Sequence, residues 1–390
     1  MRGTEGRNMK FFDTAQKSNT RYQVPVLVAS IMLLTGLGLV SLYSSSYAYA
    51  ERFFNNGLYF FTRQAIFCAV GILLFILASF INLDLIRKAI KPLIIVSLIL
   101  CVLTFIPGVG VVRNGASRWI GFGSFTYQPS ELAKFVLPLY LAHILDKKQD
   151  SLDTFSSAVL PPVVICALFF ILIYFQNNFS TAVFIAINAL VIFFLAGIRL
   201  WYFIAAALIF LPISALLLLT REHRVKRLIS FIQPDWDLQG AGYQVRNSIL
   251  AISSGSLWGK GIGQGTRKIA SVPEVHSDFI FSSFSEEAGF LGVILFIVLL
   301  AVFAFYGYKG SLGSQTLFRR LLGVSLVTTI ISQALVNIAV VSGSLPATGI
   351  PLPFFSAGGS SLATTLVCAG LIVNVSRHSG QHAALENEYA

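Results

Sequence analysis

The sequence predicts an all-α polytopic membrane protein with about ten transmembrane helices. Hydrophobic residues make up 55% of its 390 residues and charged residues only 12%, about half the charged share of an average soluble domain. The apolar residues fall in runs of about 20, which is long enough to cross the hydrocarbon core of a bilayer. These features exclude a soluble enzyme, a disordered chain and a secreted disulfide scaffold.

Ten apolar runs predict the individual spans. They are Val24–Tyr43, Gln64–Ile81, Ile90–Ile106, Glu131–Leu145, Ser157–Phe175, Phe179–Ala196, Trp201–Leu219, Ser283–Tyr306, Leu321–Val341 and Gly358–Ser376. The fourth is short and carries Glu131 and Lys134, and a tight polar turn, 176–178, joins the fifth to the sixth. An even number of spans places both termini on the same side of the membrane.

The basic residues predict the orientation of these spans. With a cytoplasmic N-terminus, fifteen basic residues fall in cytoplasmic segments and four in the short outer loops. Because short cytoplasmic segments are enriched in Lys and Arg, both termini are predicted to be cytoplasmic. The net charge of +11 then serves orientation, and it does not indicate nucleic acid, which would require a clustered basic patch.

One outer segment departs from this pattern. Thr220 to Ser282 carries eight basic and five acidic residues, and long loops are exempt from the orientation rule. Loops of this length in compact proteins are more often functional than idle. We therefore divide the chain into a tail, 1–23, a membrane domain, 24–376, with a functional outer loop over 220–282, and a tail, 377–390.

Asp278 is the first candidate for chemistry, because it stands a few residues before the eighth span. A partly desolvated carboxylate at the membrane boundary has a raised pKa and is a better base. The alternative is that Asp278 only caps that helix, which Asp does routinely. His276 is the second acid–base candidate.

Two cationic segments could bind an anion. Gly255 to Lys268 combines five glycines with three cations, and glycine lets backbone amides approach a phosphate; the alternative is a flexible glycine loop. Arg224, Lys226 and Arg227 follow the seventh span, where we favour an anionic ligand over lipid head groups or helix orientation.

Two further features lie within or between the spans. Glu131 and Lys134 share one helical face, either as a structural ion pair or as the wall of a polar cavity. Gly343 to Ser361 is apolar and rich in Pro and Gly, and such backbone at membrane depth must be covered by protein or line a cavity. The residues alone thus indicate an outer cavity for an amphiphile with an anionic head, and they leave the reaction open.

Four separated motifs carry a family resemblance. They are Asn114-Gly115-Ala116-Ser117-Arg118-Trp119-Ile120, then Gln128-Pro129-Ser130-Glu131-Leu132-Ala133-Lys134, then Pro273-Glu274-x-His276-x-Asp278-Phe279-Ile280-Phe281 with Glu286-Glu287-x-Gly289-Phe290, and finally Thr348-Gly349-Ile350-Pro351-Leu352-Pro353-Phe354-Phe355-Ser356-x-Gly358-Gly359-Ser360-Ser361. The chain resembles the SEDS proteins, the RodA/FtsW/SpoVE family of cell-wall polymerases, from about Val24 to Ser376.

The resemblance implies an activity. Members polymerise lipid II into glycan strands outside the bacterial cytoplasmic membrane, together with a class B penicillin-binding protein and other cell-wall proteins. Asp278 takes the position of the essential aspartate, as general base on the acceptor hydroxyl. Undecaprenyl diphosphate leaves, and the configuration at the anomeric carbon of the donor sugar is inverted. The resemblance assigns Arg118, Lys134, Arg227 and Lys268 to stabilise the charge on the diphosphate. No cofactor is implied, and a divalent cation is left open.

The remaining motif residues are assigned supporting roles: Gln128, Glu131, Asn178, His276, Ser356, Gly358, Gly359 and Ser360. Two positions depart from the family pattern. Asn178 stands where the family usually has Asp, so a second acid is in doubt at this point, and Ala357 replaces the usual Tyr.

A lipid II flippase is the alternative function, because Glu131, Lys134 and Asn178 are polar groups within or beside spans, as a transport path requires. Charge concentrated in one outer loop favours the enzyme over the flippase and over a scaffold that only recruits the transpeptidase. Within the family, the sequence leans toward the FtsW branch, which acts in cell division.

Overall fold

The structure, a computed structural model, describes residues 22–113, 115–122, 125–152, 154–233, 240–265 and 277–388. Within them the helices are α1 Gln23–Phe54, α2 Tyr59–Phe80, α3 Leu83–Leu103, α4 Pro129–Lys147, α5 Leu160–Phe175, α6 Phe179–Leu195, α7 Leu200–Leu219, α8 Glu222–Ile232, α9 Ala241–Ser254, α10 Ile280–Leu312, α11 Leu317–Val341 and α12 Gly359–Glu388. A π-helical turn, Phe155–Val159, precedes α5.

Each predicted span coincides with a helix, namely α1 to α7 and α10 to α12. Among the described residues, seven helices are long and apolar enough to cross a membrane: α1, α2, α5 with its π turn, α7, α10, α11 and α12. The protein is therefore a multi-pass membrane protein. The count of ten and the side of the termini stay predictions.

Two helices differ from the predicted bounds. α1 continues about ten residues beyond Tyr43, since its serines bond within the protein: Ser45 Oγ donates to Leu42 O. α10 begins at Ile280 and is broken at Gly289, whose φ of 65° and ψ of −169° are not helical. Such a conformation is essentially restricted to glycine.

The all-α prediction is wrong between α3 and α4. Three strands, β1 Gly110–Arg113, β2 Ala116–Phe122 and β3 Phe125–Tyr127, form an antiparallel sheet in that order. Val111 pairs with Trp119 and Val112 with Ser117, so Arg118 is the extra residue of a β-bulge. A bulge re-aims the side chain of its extra residue.

Over its described residues, the long segment predicted as an outer loop contains two helices, α8 and α9, packed on the body of the protein. Ser248 Oγ of α9 donates to Val341 O at the end of α11 at 2.7 Å, and Arg227 of α8 donates to Ala347 O at 3.3 Å. α7, which leads into this segment, buries none of its residues. The segment is thereby held on the body of the protein.

The glycine-rich residues 255–265 pack against the break in α10, and we call them the glycine clamp. The N–H groups of Phe290 and Leu291, which the break removes from the helix, donate to Ser256 O and Leu257 O. On the other side of the break, the Lys260 N–H donates to Glu286 O at 3.0 Å. A Cβ on Gly259 or Gly289 would collide with the opposing backbone, which explains why glycine stands at both positions.

Candidate active site

A cavity of about 290 Å³ opens between α6, α8, the bulged strand β2 and the segment after α11. We call it the cation cavity. It is lined by Arg118, Asn177, Asn178, Phe179, Ser180, Val183, Phe184, Ile187, Leu218, His223, Arg224, Arg227, Leu228, Val336 and the six residues 345–350. Three of these are arginines, and they come from two separate parts of the chain.

Arg118 reaches the cavity because it is the bulged residue of β2. Its guanidinium donates to Asn177 O, and the Asn177 side chain donates back to Gly115 O at 2.8 Å. Asn177 has a φ of 59°, a left-handed conformation that Asn tolerates better than most residues. The predicted tight turn 176–178 thus fixes the position of Arg118.

Arg224 and Arg227 lie three residues apart on α8 and so share a helical face. Arg224 is 7% exposed, donates to Leu217 O at 2.9 Å, and stacks on the rings of Tyr174 at 4.7 Å and Phe179 at 5.0 Å. Its Nε is buried without a hydrogen-bond partner. Such an atom carries a desolvation cost that an anion in the cavity would offset.

Asp278 lies beside this cavity, across Gly349. A Cβ built on Gly349 would have Asp278 Oδ2 at 3.6 Å and Arg118 Nη1 at 3.8 Å. Phe279, not Asp278, is the N-cap residue of α10, and Phe279 makes no side-chain capping hydrogen bond. Ser277 Oγ donates to Asp278 Oδ1 at 3.0 Å. Asp278 is therefore not the N-cap residue of α10.

The electrostatics of the cavity favour an anion. Burial, the charge of Arg227 and the charge of Arg224 lower the pKa of Arg118 to about 10, and only Asp278 opposes this shift. Burial and the same group of arginines also lower the pKa of His223. A lowered pKa on a cation means that the free site disfavours positive charge, so an anion that restores the balance is bound favourably.

The rest of the cavity wall is apolar. Phe179, Val183 and Ile187 follow each other at four-residue spacing on α6, which places them on one helical face. Leu218, Leu228 and Val336 complete this side. A ligand with an anionic head and an apolar tail fits a cavity whose cations and apolar wall adjoin.

Lys134 does not line the cation cavity. Its Nζ pairs with Glu131 Oε2 at 2.8 Å and donates to Gln333 Oε1 at 2.9 Å, and both ionic side chains are buried. The adjacent cavity measures about 10 Å³, room for about one water. Glu131 and Lys134 therefore form a structural ion pair and not the wall of a large polar cavity.

The supporting residues of the last motif hold the segment that ends at α12. Ser356 Oγ accepts from the Leu352 N–H at 2.8 Å, and Ser356 O accepts from Gln64 of α2 at 3.0 Å. Gly359 faces the ring of Phe67 with no room for a Cβ. Gly358 N donates to Ser356 O, and Ser360 is buried. The apolar segment rich in Pro and Gly is thus covered by protein over 352–356 and lines the cation cavity over 345–350.

Comparison with known proteins decides the family. The family model described as "Cell cycle protein", FTSW_RODA_SPOVE, matches residues 25–381. The chain is 37% identical to "Probable peptidoglycan glycosyltransferase FtsW" of Trichlorobacter lovleyi, covering 90% of this chain and 92% of that one. It is 36% identical to "Stage V sporulation protein E" of Bacillus subtilis, covering 91% and 97%.

The chain belongs to the FtsW/RodA/SpoVE family. This confirms the resemblance predicted from the four motifs. Solved structures agree with it. One described as "Structural coordination of polymerization and crosslinking by a peptidoglycan synthase complex" has a TM-score of 0.74 at 27% identity, covering 91% of this chain and 98% of that one. The rod shape determining protein RodA of Thermus thermophilus has a TM-score of 0.66 at 26% identity, covering 91% and 97%.

The FtsW/RodA/SpoVE motifs do not all meet in the structure. Arg118, Arg227 and Asn178 line the cation cavity. Asn178 Nδ2 lies 3.4 Å from Ser130 Oγ, to which Gln128 also donates at 2.9 Å, so this position is used as a neutral hydrogen-bonding group. Lys268 and His276 lie outside the described residues.

Two cavity residues were missing from the predicted site residues: His223 and Gly349. Arg224 was predicted within the cationic cluster after the seventh span, and its three-residue spacing from Arg227 on a short amphipathic helix is a further signal for it. Gly349 was part of the fourth motif, but its place between Asp278 and Arg118 depends on groups from distant parts of the chain. Among the described residues, no group of three or more His, Cys, Asp and Glu is placed to hold a metal ion.

Proposed function

We propose that this protein is a peptidoglycan glycosyltransferase that polymerises lipid II at the outer face of the bacterial cytoplasmic membrane. The observation that carries the proposal is the meeting of Asp278 and Arg118 at Gly349, beside a cavity with two more arginines and an apolar wall. Lipid II joins a diphosphate to an apolar polyprenyl tail. The arginines of the cavity match the diphosphate, and the apolar wall matches the tail.

The reaction places each group in a role. Asp278 takes the proton of the 4-hydroxyl on the acceptor sugar, and the oxygen forms a bond to the anomeric carbon of the donor sugar. The bond from that carbon to the diphosphate breaks, and undecaprenyl diphosphate leaves with both bonding electrons. Attack opposite the leaving group inverts α to β. Arg118, Arg224 and Arg227 stabilise the charge that develops on the diphosphate.

The partner and the branch of the family belong to the same proposal. A structure similar to this chain is described as a peptidoglycan synthase complex for polymerization and crosslinking, which supports a class B penicillin-binding protein as partner. Relatives named FtsW support a role in cell division over elongation. The lipid-linked diphosphate is the proposed ligand of the arginines, with Lys268 from the undescribed segment as a further cation.

The test is polymerisation of labelled lipid II by the purified protein with its transpeptidase partner. Asp278→Asn keeps the size of the side chain and removes the base, and we expect a loss of about 10²–10⁴-fold in rate. Glu222→Gln, which removes an exposed carboxylate from α8, is the matched control and is expected to retain activity. Full activity of Asp278→Asn would contradict the catalytic assignment. Lipid crossing a vesicle bilayer without polymer from any variant would instead support a flippase.

A further inference from the structure

Asn337 of α11 connects the two segments that form the proposed active site. It is 1% exposed, and its Nδ2 donates to Asp278 O at 2.8 Å and to Ile350 O at 2.9 Å. Asp278 carries the proposed base, and Ile350 follows Gly349, the residue at which the base meets Arg118. A single side-chain amide therefore bridges these two backbones.

Gln333, one turn earlier on the same face of α11, extends this connection. Its Nε2 donates to Pro351 O at 2.9 Å, and its Oε1 accepts from Lys134 at 2.9 Å. Lys134 is in turn paired with Glu131. The buried pair on α4 therefore reaches the 350–351 segment through Gln333 without entering the cation cavity.

Both carbonyls lie outside the helices. Asp278 precedes α10 and Ile350 lies in irregular backbone, and the Asn337 amide donates to the carbonyl of each. A buried carbonyl without a donor is costly, and a buried amide that satisfies two of them has little freedom to move. Small displacements of a catalytic group are expensive in rate, with about 1 Å costing on the order of 100-fold.

We propose that Asn337 is a positioning residue that holds the Asp278 carboxylate at the cation cavity, with Gln333 holding the same segment from the Glu131–Lys134 pair. This inference rests on the proposed function, in which Asp278 is the base. Asn337 itself does not touch the substrate, and it acts through the backbone of Asp278.

Asn374 provides a matched control for a purely structural role. It is fully buried, and its Nδ2 also donates to two backbone carbonyls, Ala78 O at 2.9 Å and Ile81 O at 2.7 Å. These two carbonyls lie at the C-terminal end of α2. Gln64, the α2 residue that contacts the 350–361 segment, lies about 20 Å away along the helix, so Asn374 is distant from the proposed active site. Each of the two asparagines leaves its Oδ1 buried without a hydrogen-bond partner.

The experiment compares Asn337→Leu with Asn374→Leu in the full chain bound to its transpeptidase partner. We expect similar decreases in Tm for both. Asn337→Leu should lower kcat by about 10–100-fold with KM for lipid II within about threefold, because the arginines are unchanged, and Asn374→Leu should retain kcat. Equal kcat values for the two variants would overturn the inference.

Hydrogen–deuterium exchange gives a readout that does not need activity. Backbone amides around Asp278 should exchange roughly tenfold faster in Asn337→Leu and at the wild-type rate in Asn374→Leu; unchanged exchange in both would overturn the positioning role. If the wild type makes no polymer, the proposed function fails, and the exchange result still decides whether Asn337 holds this segment. If Asn337→Leu does not fold, Asn337→Asp replaces it in both measurements. The aspartate keeps the side-chain size but has at most one hydrogen-bond donor for the two carbonyls.

Discussion

The cation cavity and the glycine clamp both draw cations from the segment after α7, yet they balance charge in opposite ways. In the clamp, Lys260 Nζ pairs with Glu286 Oε1 at 2.6 Å, and Ser44 of α1 donates to both oxygens of Glu287. In the cavity, three arginines meet near one described carboxylate, Asp278. The clamp is filled by protein, whereas the cavity encloses about 290 Å³.

The difference shows how similar sequence signals separate into stability and binding. Glycines beside cations predicted phosphate binding in the clamp, but its amides at Lys260 and Gly261 donate to Glu286 O and Glu287 O. The close approach that glycine permits is therefore used by the backbone of α10. The two regions differ because the clamp packs against two buried acids, Glu286 and Glu287.

The largest expected effect tests the clamp through Gly289→Ala. The new Cβ would collide with the backbone of Gly259, and the φ of 65° is unfavourable for alanine. Strain and overpacking together cost about 2–5 kcal/mol, measured as a decrease in Tm. Gly263→Ala, at a φ of 87° with open space around it, should cost only about 1–2 kcal/mol. Equal decreases would argue against the packing of the clamp on α10.

The second largest expected effect tests the cation cavity through Arg227→Met. A hydrogen bond to a charged group contributes about 1.5–3 kcal/mol, so we expect kcat/KM for lipid II to fall about 10–100-fold with little change in Tm. Lys226→Met removes the same charge from the neighbouring position of α8, where the lysine pairs with exposed Glu222, and should retain activity. A similar loss in both variants would mean that only net charge matters.

Lys260→Met should give the reverse pattern, with lower stability and unchanged kcat/KM. It removes the ion pair between Lys260 and buried Glu286, and because the Lys260 side chain is 30% exposed we expect a reduced cost of about 1–2 kcal/mol. Adding Glu286→Gln should recover most of the lost Tm. A catalytic defect with normal Tm would break the distinction between the two regions.

The smallest effect concerns pH. Burial and the neighbouring arginines lower the pKa of His223, so the free protein disfavours its protonated form, and we expect a bound diphosphate to raise that pKa. The bound form then takes up a proton first as the pH falls, so affinity for undecaprenyl diphosphate should increase about threefold between pH 7.5 and 6. His223→Gln should abolish this increase. A pH-dependent affinity that persists in the variant would assign it to another group.

The helices that coincide with the ten predicted spans were predictable because each contains an apolar run, and lipid leaves the backbone few alternatives to a helix; α8 and α9 are not apolar runs and were predicted as loop. The sheet between α3 and α4 was not, since strands of four, seven and three residues with a bulge have no regular period. Asp278 and Arg118 were identified from motifs, and Arg227 from the cationic cluster that follows the seventh span. Lys134 was predicted to bind the diphosphate, although Glu131 lies three residues earlier on the same helical face. In the structure Lys134 pairs with Glu131, and Arg224 lines the cation cavity.

The broken helix α10 is a bend and not a hinge. The clamp bonds to residues on both sides of Gly289, at 286–287 and at 290–291, so the angle at the break is set by protein. A span in a thicker or thinner bilayer changes its tilt to match the hydrocarbon layer, and an unsupported break would let that tilt vary independently of the segment that carries Asp278. Because the clamp joins the two parts, we expect Asp278 to move with the span as one unit, so that its depth relative to the cation cavity does not change with lipid chain length.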